Sequence, residues 1–203
     1  LRIDKIWYTF PIGDSNTVWV GPRIENYYMH GASPSIYSPT LKQFKLGGNG
    51  AAYGASTNSG IGWAYNADNG FSLSSNVVSK TAGATTGFLT DESATNWSTQ
   101  VAYTTDSYHI SLINALKYDW SDSYYSTTLG KARGGNSTNY GLRGYWRPDD
   151  SGSAVPEISA GYDISTIEGQ SQDTNAYFVG LTWKDTFQAD DKIGVAFGQP
   201  QTR

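Results

Sequence analysis

The feature that most constrains this chain is a two-residue alternation of side-chain type that recurs along most of its length. In 176–183, Tyr, Val, Leu and Trp occupy every second position, and Ala, Phe, Gly and Thr lie between them. Successive side chains of a strand point to opposite faces, so such runs predict strands with one apolar face. We predict ten strands, at 1–10, 16–25, 51–66, 70–79, 95–104, 107–118, 137–147, 155–164, 174–185 and 191–199.

The predicted connections alternate between short and long. The short ones are rich in Gly, Asp, Asn and Pro, which favour tight hairpin turns. They are 11–15, 67–69, 105–106, 148–154 and 186–190, and the longer polar ones are 26–50, 80–94, 119–136 and 165–173. Outer-membrane barrels have this order because their short turns and long loops lie on opposite sides of the membrane.

Composition favours a membrane barrel over a soluble sandwich. Only 38% of the 203 residues are hydrophobic, yet the chain has 15 Tyr, 7 Trp and 23 Gly. A sandwich buries a richer aliphatic core between two sheets, whereas a barrel needs one apolar face per strand and has a polar lumen. The sequence therefore predicts an all-β fold, a transmembrane antiparallel up-and-down β-barrel.

Charge and cysteine content exclude some functions. The formal net charge of −4 argues against a nucleic-acid partner, which selects a basic surface. The absence of Cys excludes thiolate metal sites and thiol catalysis. His30 and His109 lack the neighbours of a zinc or triad motif, and we expect both to be polar surface or lumen residues.

Two segments resemble a known family. Ile6–Asp14, followed by Thr17–Gly21, resembles the Y-x-F-P-I-G-D … T-V-x-V-G hairpin of cyanobacterial outer-membrane porins, the OprB-like proteins with an S-layer-homology domain. Ile193–Pro200 resembles their G-x-x-F-G-Q-P strand. These porins are also described as iron-uptake or carbohydrate-selective, and no residue here selects among inorganic ions, iron and sugars.

The resemblance implies a porin of the bacterial outer membrane, a water-filled channel for passive diffusion of ions and small hydrophilic solutes. It implies no enzyme activity, catalytic residue, cofactor or metal. The implied partners are outer-membrane lipid, lipopolysaccharide and the solutes, with a homotrimer as a further option. Peptidoglycan would be bound only through the family's N-terminal periplasmic domain, which 1–203 lacks. The chain also ends at Arg203 without the usual terminal aromatic, so we expect a barrel segment that lacks terminal strands.

Charged residues within the strands predict the lumen face. An Arg or Lys on the lipid face costs about 2–4 kcal/mol near the bilayer midplane. We therefore expect the strand charges to line the pore and bias ion passage, or else only to form salt bridges that stiffen the wall. They are Arg23, Glu25, Lys117, Arg143, Glu157, Asp163 and Lys184.

The longest connection, 26–50, is the candidate constriction. Its tail is basic and then glycine-rich. We hypothesise that it folds into the barrel and places Lys42 and Lys45 at the narrowest point. The alternative is an external loop that packs against a neighbour or a surface glycan.

Two other functions stay open. A secreted or surface β-sandwich would bind carbohydrate through loop aromatics such as Tyr37 and Trp120. A barrel-embedded lipase or protease would need a Ser/His/Asp set at one rim, and among strand histidines only His109 is available.

Overall fold

The computed structural model describes residues 3–37, 50, 52–53, 56–80, 85–90, 92–120 and 136–202. Its strands are β1 (Ile6–Ile12), β2 (Asn16–Glu25), β3 (Thr57–Asn66), β4 (Phe71–Lys80), β5 (Ala94–Thr104), β6 (Tyr108–Tyr118), β7 (Ser137–Trp146), β8 (Glu157–Ile167), β9 (Thr174–Lys184) and β10 (Lys192–Thr202). A single turn of 3-10 helix, Asn26–Tyr28, is the helical element of the described residues. In that part of the chain, no helix has the length and apolar character needed to cross a membrane.

The topology is a simple meander. Each strand pairs antiparallel with its neighbour in sequence, in the order β1 to β10. The predicted all-β, up-and-down antiparallel fold is therefore confirmed. Within the described residues β1 and β10 do not pair with each other, so the sheet is open in this structure.

Four predicted boundaries are wrong by three residues or more, including the start of β1, found at Ile6, and the end of β10, found at Thr202. The predicted strand 51–66 begins only at Thr57. β8 continues to Ile167, which pairs with Ser137, because the alternation persists past residue 164. The last of the predicted long connections is therefore only 168–173.

The short turns depend on glycine where the backbone approaches a neighbouring strand. Gly70 has φ +89° in the β3–β4 turn, and a Cβ there would lie 2.1 Å from the Thr104 carbonyl oxygen. A side chain at this position would force the β4–β5 edge apart, so this glycine fixes where the strands turn.

The two faces of the sheet reverse the arrangement of a soluble protein. Large apolar side chains on one face, here called the apolar face, are exposed: Leu112 is 52% and Trp146 53% accessible. On the opposite, polar face, Ser74, Ser98 and Gln100 are at most 1% accessible. A typical soluble sheet hides its apolar side and solvates its polar side.

Candidate functional site

The apolar face carries no charge over most of the sheet. The alternating burial of β3 to β9 places one exposed set of side chains on this face. In these described strands, none of that set is Asp, Glu, Lys or Arg. Its exposed members include Ile61, Trp63, Trp97, Val101, Ile110, Leu112, Leu116, Tyr140, Leu142, Tyr162, Ile164 and Val179.

Several polar atoms on the apolar face bond to other protein groups. The indole Nε1 of Trp97 donates to the Ser75 hydroxyl at 2.8 Å, and Ser75 also bonds to Thr99 at 3.2 Å. Trp63 Nε1 donates to Asn16 Oδ1 at 3.0 Å. A face in contact with water does not need such internal partners, whereas a face in hydrocarbon does.

Aromatic side chains concentrate at the edge of the apolar face that is nearest the short turns. In six strands the apolar-face residue closest to these turns is aromatic. These residues are Tyr65, Phe71, Tyr103, Tyr108, Trp146 and Trp183. Aromatic side chains are enriched at the level of lipid headgroups, where an apolar ring and a polar tip are both accommodated.

A buried ion pair lies in the middle of the polar face. Arg143 on β7 donates to Asp163 Oδ1 on β8 from both Nη2, at 2.7 Å, and Nε, at 3.1 Å. Both side chains are fully buried. A Cβ on Gly141 would lie 2.4 Å from Asp163 Oδ1, so glycine at this position leaves the space that the carboxylate occupies.

A second ionic group lies on the polar face at the short-turn end. Glu157 Oε1 accepts from Arg147 Nε at 2.6 Å and from Lys184 Nζ at 2.5 Å. The glutamate is buried, but the side chains of Arg147 and Lys184 are 41% and 32% accessible. The sequence predicted Glu157 and Lys184 for this face but not Arg147, which follows the last residue of β7.

The remaining predicted strand charges lie near the long-loop end. Lys117 is 3% accessible on the polar face, opposite Asn96 and Ser137.

Arg23 and Glu25 correct the sequence expectation. They flank the fully buried Ile24, so alternation places them on the other face, and Arg23 lies opposite the exposed Ile6. A register shift between Gly21 and Ile24 in the β2–β3 pairing reverses the face of every later residue of β2.

The described part of the connection after β2 crosses the polar face. We call residues 26–37 the crossing segment. His30 Nδ1 lies 3.2 Å from the Ser74 hydroxyl, and its Nε2 lies 3.4 Å from that of Ser98. Two residues further on, the Ala32 amide donates to Gln100 Oε1 at 3.1 Å, and Gln100 Nε2 donates to the Ala32 carbonyl at 2.9 Å.

The crossing segment reaches the far side of the sheet at Tyr37. The amides of Ile36 and Tyr37 donate to the Ser159 hydroxyl at 3.3 and 3.2 Å. The Tyr37 ring centroid lies 5.4 Å from that of Phe178. A Cβ on Gly180 would be 2.7 Å from the Tyr37 ring, so this glycine provides the space for the ring.

Tyr53 joins the crossing segment to the buried ion pair. Its ring centroid is 4.9 Å from that of His30, and the Arg143 guanidinium carbon lies 5.2 Å from the Tyr53 centroid. Burial is the main cause that lowers the pKa of His30 to about 4, a hydrogen bond with the Tyr53 backbone opposes it, and nearby Arg143 adds to it. Burial also raises the pKa of the Tyr53 phenol.

The predicted constriction lysines, Lys42 and Lys45, lie outside the described residues. Among those described, no group of three His, Asp or Glu side chains is placed to hold a metal ion. His109 bonds to the Thr104 hydroxyl at 2.7 Å and stacks on Tyr145, without a carboxylate beside it. Asp191 accepts the amides of 186, 187 and 188 and so closes its own turn.

Comparison with protein-family models, with curated proteins and with solved structures found no match to this chain.

Proposed function

We propose that this chain forms part of the wall of an outer-membrane porin, a water-filled channel for passive diffusion of ions and small hydrophilic solutes. The observation that carries the proposal is the division of charge between the two faces. The exposed face of β3 to β9 is apolar and uncharged, while Lys117, Arg143, Glu157, Asp163 and Lys184 lie on the polar face.

Lipid is the environment that suits such a surface. Apolar patches on soluble monomers rarely exceed a few hundred Å², and here seven adjacent strands expose one. The internal hydrogen bonds of Trp63 and Trp97 and the aromatic band at the short-turn edge support the same environment. We assign the protein to a bacterial outer membrane, with lipid and lipopolysaccharide as its partners and a homotrimer as one possible assembly.

The proposal requires the sheet to be closed. A strand edge in hydrocarbon leaves backbone amides and carbonyls unpaired, at several kcal/mol each, so only closed barrels cross a membrane with strands. The free edges of β1 and β10 therefore require strand partners in the membrane, either each other or further strands. The resemblance to cyanobacterial porins supports this architecture and gives the channel no catalytic role.

Within such a channel the crossing segment divides the polar face. Arg143 and Asp163 are buried on that face, whereas Arg147 and Lys184 are partly accessible at the short-turn end. We propose that solutes meet the crossing segment and the open ionic group, and that both size and charge filter them.

Planar-bilayer recording from the full protein tests the proposal. We expect stepwise conductance and a gel mobility in SDS that shifts on heating, as a barrel that resists detergent until heated should show. A protein that stays soluble and monomeric without detergent and gives no conductance would contradict it. That result would favour the alternative of a surface carbohydrate-binding module.

A further inference from the structure

We propose that His30 is an acid-sensitive anchor, whose protonation releases the crossing segment from the polar face and thereby changes the open area of the channel. The release concerns the protein alone, and its effect on conductance rests on the porin function proposed above. The supporting observation is the position of His30, which is 9% accessible. Its imidazole contacts β4 and β5 through Ser74 and Ser98 and lies against the ring of Tyr53.

The contacts of His30 suit the neutral ring. The hydroxyls of Ser74 on β4 and Ser98 on β5 lie within hydrogen-bond distance of the two ring nitrogens. A neutral imidazole donates from one nitrogen and accepts at the other, and a hydroxyl can serve either. A protonated ring would keep both hydrogen bonds but would bring a buried charge, and its hydrogen-bond and ring contacts among the described residues include no carboxylate.

The charged surroundings make that charge unfavourable. Among the described residues, Tyr53 is the ionisable group in ring contact with His30, and the guanidinium of Arg143 lies on Tyr53. Arg143 is cationic, and its partner Asp163 is already held by two hydrogen bonds. The contacts from β4 and β5, Ser74, Ser98 and the nearby Gln100, are uncharged. Protonation would therefore place a second cation near Arg143.

The pH range follows from the two states of the segment. The seated His30 has a pKa of about 4, and a released, hydrated histidine has one of about 6.5. The released form binds the proton more readily. The free energy that favours the seated form is therefore at its maximum above about pH 6.5 and decreases as the pH falls towards 4. The ratio of seated to released protein falls about tenfold for each pH unit in that interval.

The other described hydrogen bonds between the crossing segment and the sheet involve no charged group. Asn26 is held by Ser56 and Asn76, Ala32 by Gln100, and Ile36 and Tyr37 by Ser159, all through neutral hydrogen bonds. A neutral hydrogen bond contributes only a modest net stabilisation. We therefore expect protonation of His30 to release residues 30–37, while the buried side chains of Tyr27 and Met29 hold the start of the crossing segment on the sheet.

Distance measurement between two spin labels tests the proposal. The chain has no cysteine, so Ser33→Cys on the crossing segment and Asp106→Cys in the β5–β6 turn provide the only thiols. We expect a narrow distance distribution at pH 7 and a broad one at pH 4 in lipid. His30→Gln, which stays neutral, should remain narrow at both. His30→Lys, which stays charged, should be broad already at pH 7.

His109→Gln is the matched control, because His109 also lies on the polar face and its described hydrogen-bond and ring partners are Thr104 and Tyr145. This variant should respond to pH as the parent does. An unchanged distribution between pH 7 and pH 4 in the parent would overturn the proposal. So would a His30→Gln variant that broadens as the parent does, since another group would then be titrating. Loss of conductance in bilayers at both pH values, with the distance change intact, would reject the channel and not the anchor.

Discussion

The two ionic groups on the polar face use the same chemistry and differ in their surroundings. Arg143 and Arg147 are four residues apart, and each binds a carboxylate of β8. Arg143 and Asp163 are fully buried, with the Arg143 guanidinium against the Tyr53 ring, whereas the side chain of Arg147 is 41% accessible at the short-turn end. Position accounts for the difference, because Arg143 lies within β7 against Tyr53 and Arg147 follows the last residue of that strand.

The buried pair has a structural role, and the partly exposed group has an electrostatic one. A charge pair with no solvent contact does not meet a passing solute, and its removal acts mainly on stability. A partly exposed group contributes little stability but projects a field into the adjacent water. Four of the predicted pore-lining residues therefore fall into two groups, the buried pair Arg143 and Asp163 and the partly exposed group that contains Glu157 and Lys184.

Breaking the sealed pair should have the largest effect on stability. Arg143→Met removes the guanidinium that donates two hydrogen bonds to buried Asp163, and breaking such a buried pair costs about 3–5 kcal/mol. We expect urea unfolding in lipid or detergent to show a decrease of that size. The double variant Arg143→Met with Asp163→Leu removes both charges and should recover most of the loss. A single variant within 1 kcal/mol of the parent would show that the pair is not sealed.

A charge on the neighbouring residue tests the other face. Leu142 is 52% accessible on the apolar face, next to buried Arg143. Leu142→Lys should lower the free energy of unfolding in lipid by about 2–4 kcal/mol, because lysine is costly near the bilayer midplane. Leu142→Met conserves volume and polarity class and should cost less than about 1.5 kcal/mol. If lysine is as well tolerated as methionine, this face meets water and the membrane assignment fails.

Sequence was sufficient for the strands because alternation is a local property. The two-residue alternation alone predicts ten strands and the sheet face on which most of the charged residues lie. It failed at Arg23 and Glu25 because a register shift, visible only in pairing, reverses the face of the strand. It could not place the crossing segment because anchors such as Ile36 and Ser159 are 123 residues apart. The one local indication in the sequence was Gly180, which has no side chain and so leaves space on β9 for the Tyr37 ring.

Removing charge from the open group should have the smallest effect on stability and a distinct effect on permeation. Lys184→Gln takes one cation from the short-turn end and leaves Glu157 bound to Arg147. Because the side chain is partly solvated, we expect at most about 1 kcal/mol of stability to be lost. The ratio of cation to anion permeability, from reversal potentials in a salt gradient, should shift towards cations. Lys184→Arg keeps the charge and should keep the parent ratio. Equal permeability ratios in the two variants would mean that solutes do not pass this group. The partly exposed ionic group would then have as little effect on permeation as the buried pair.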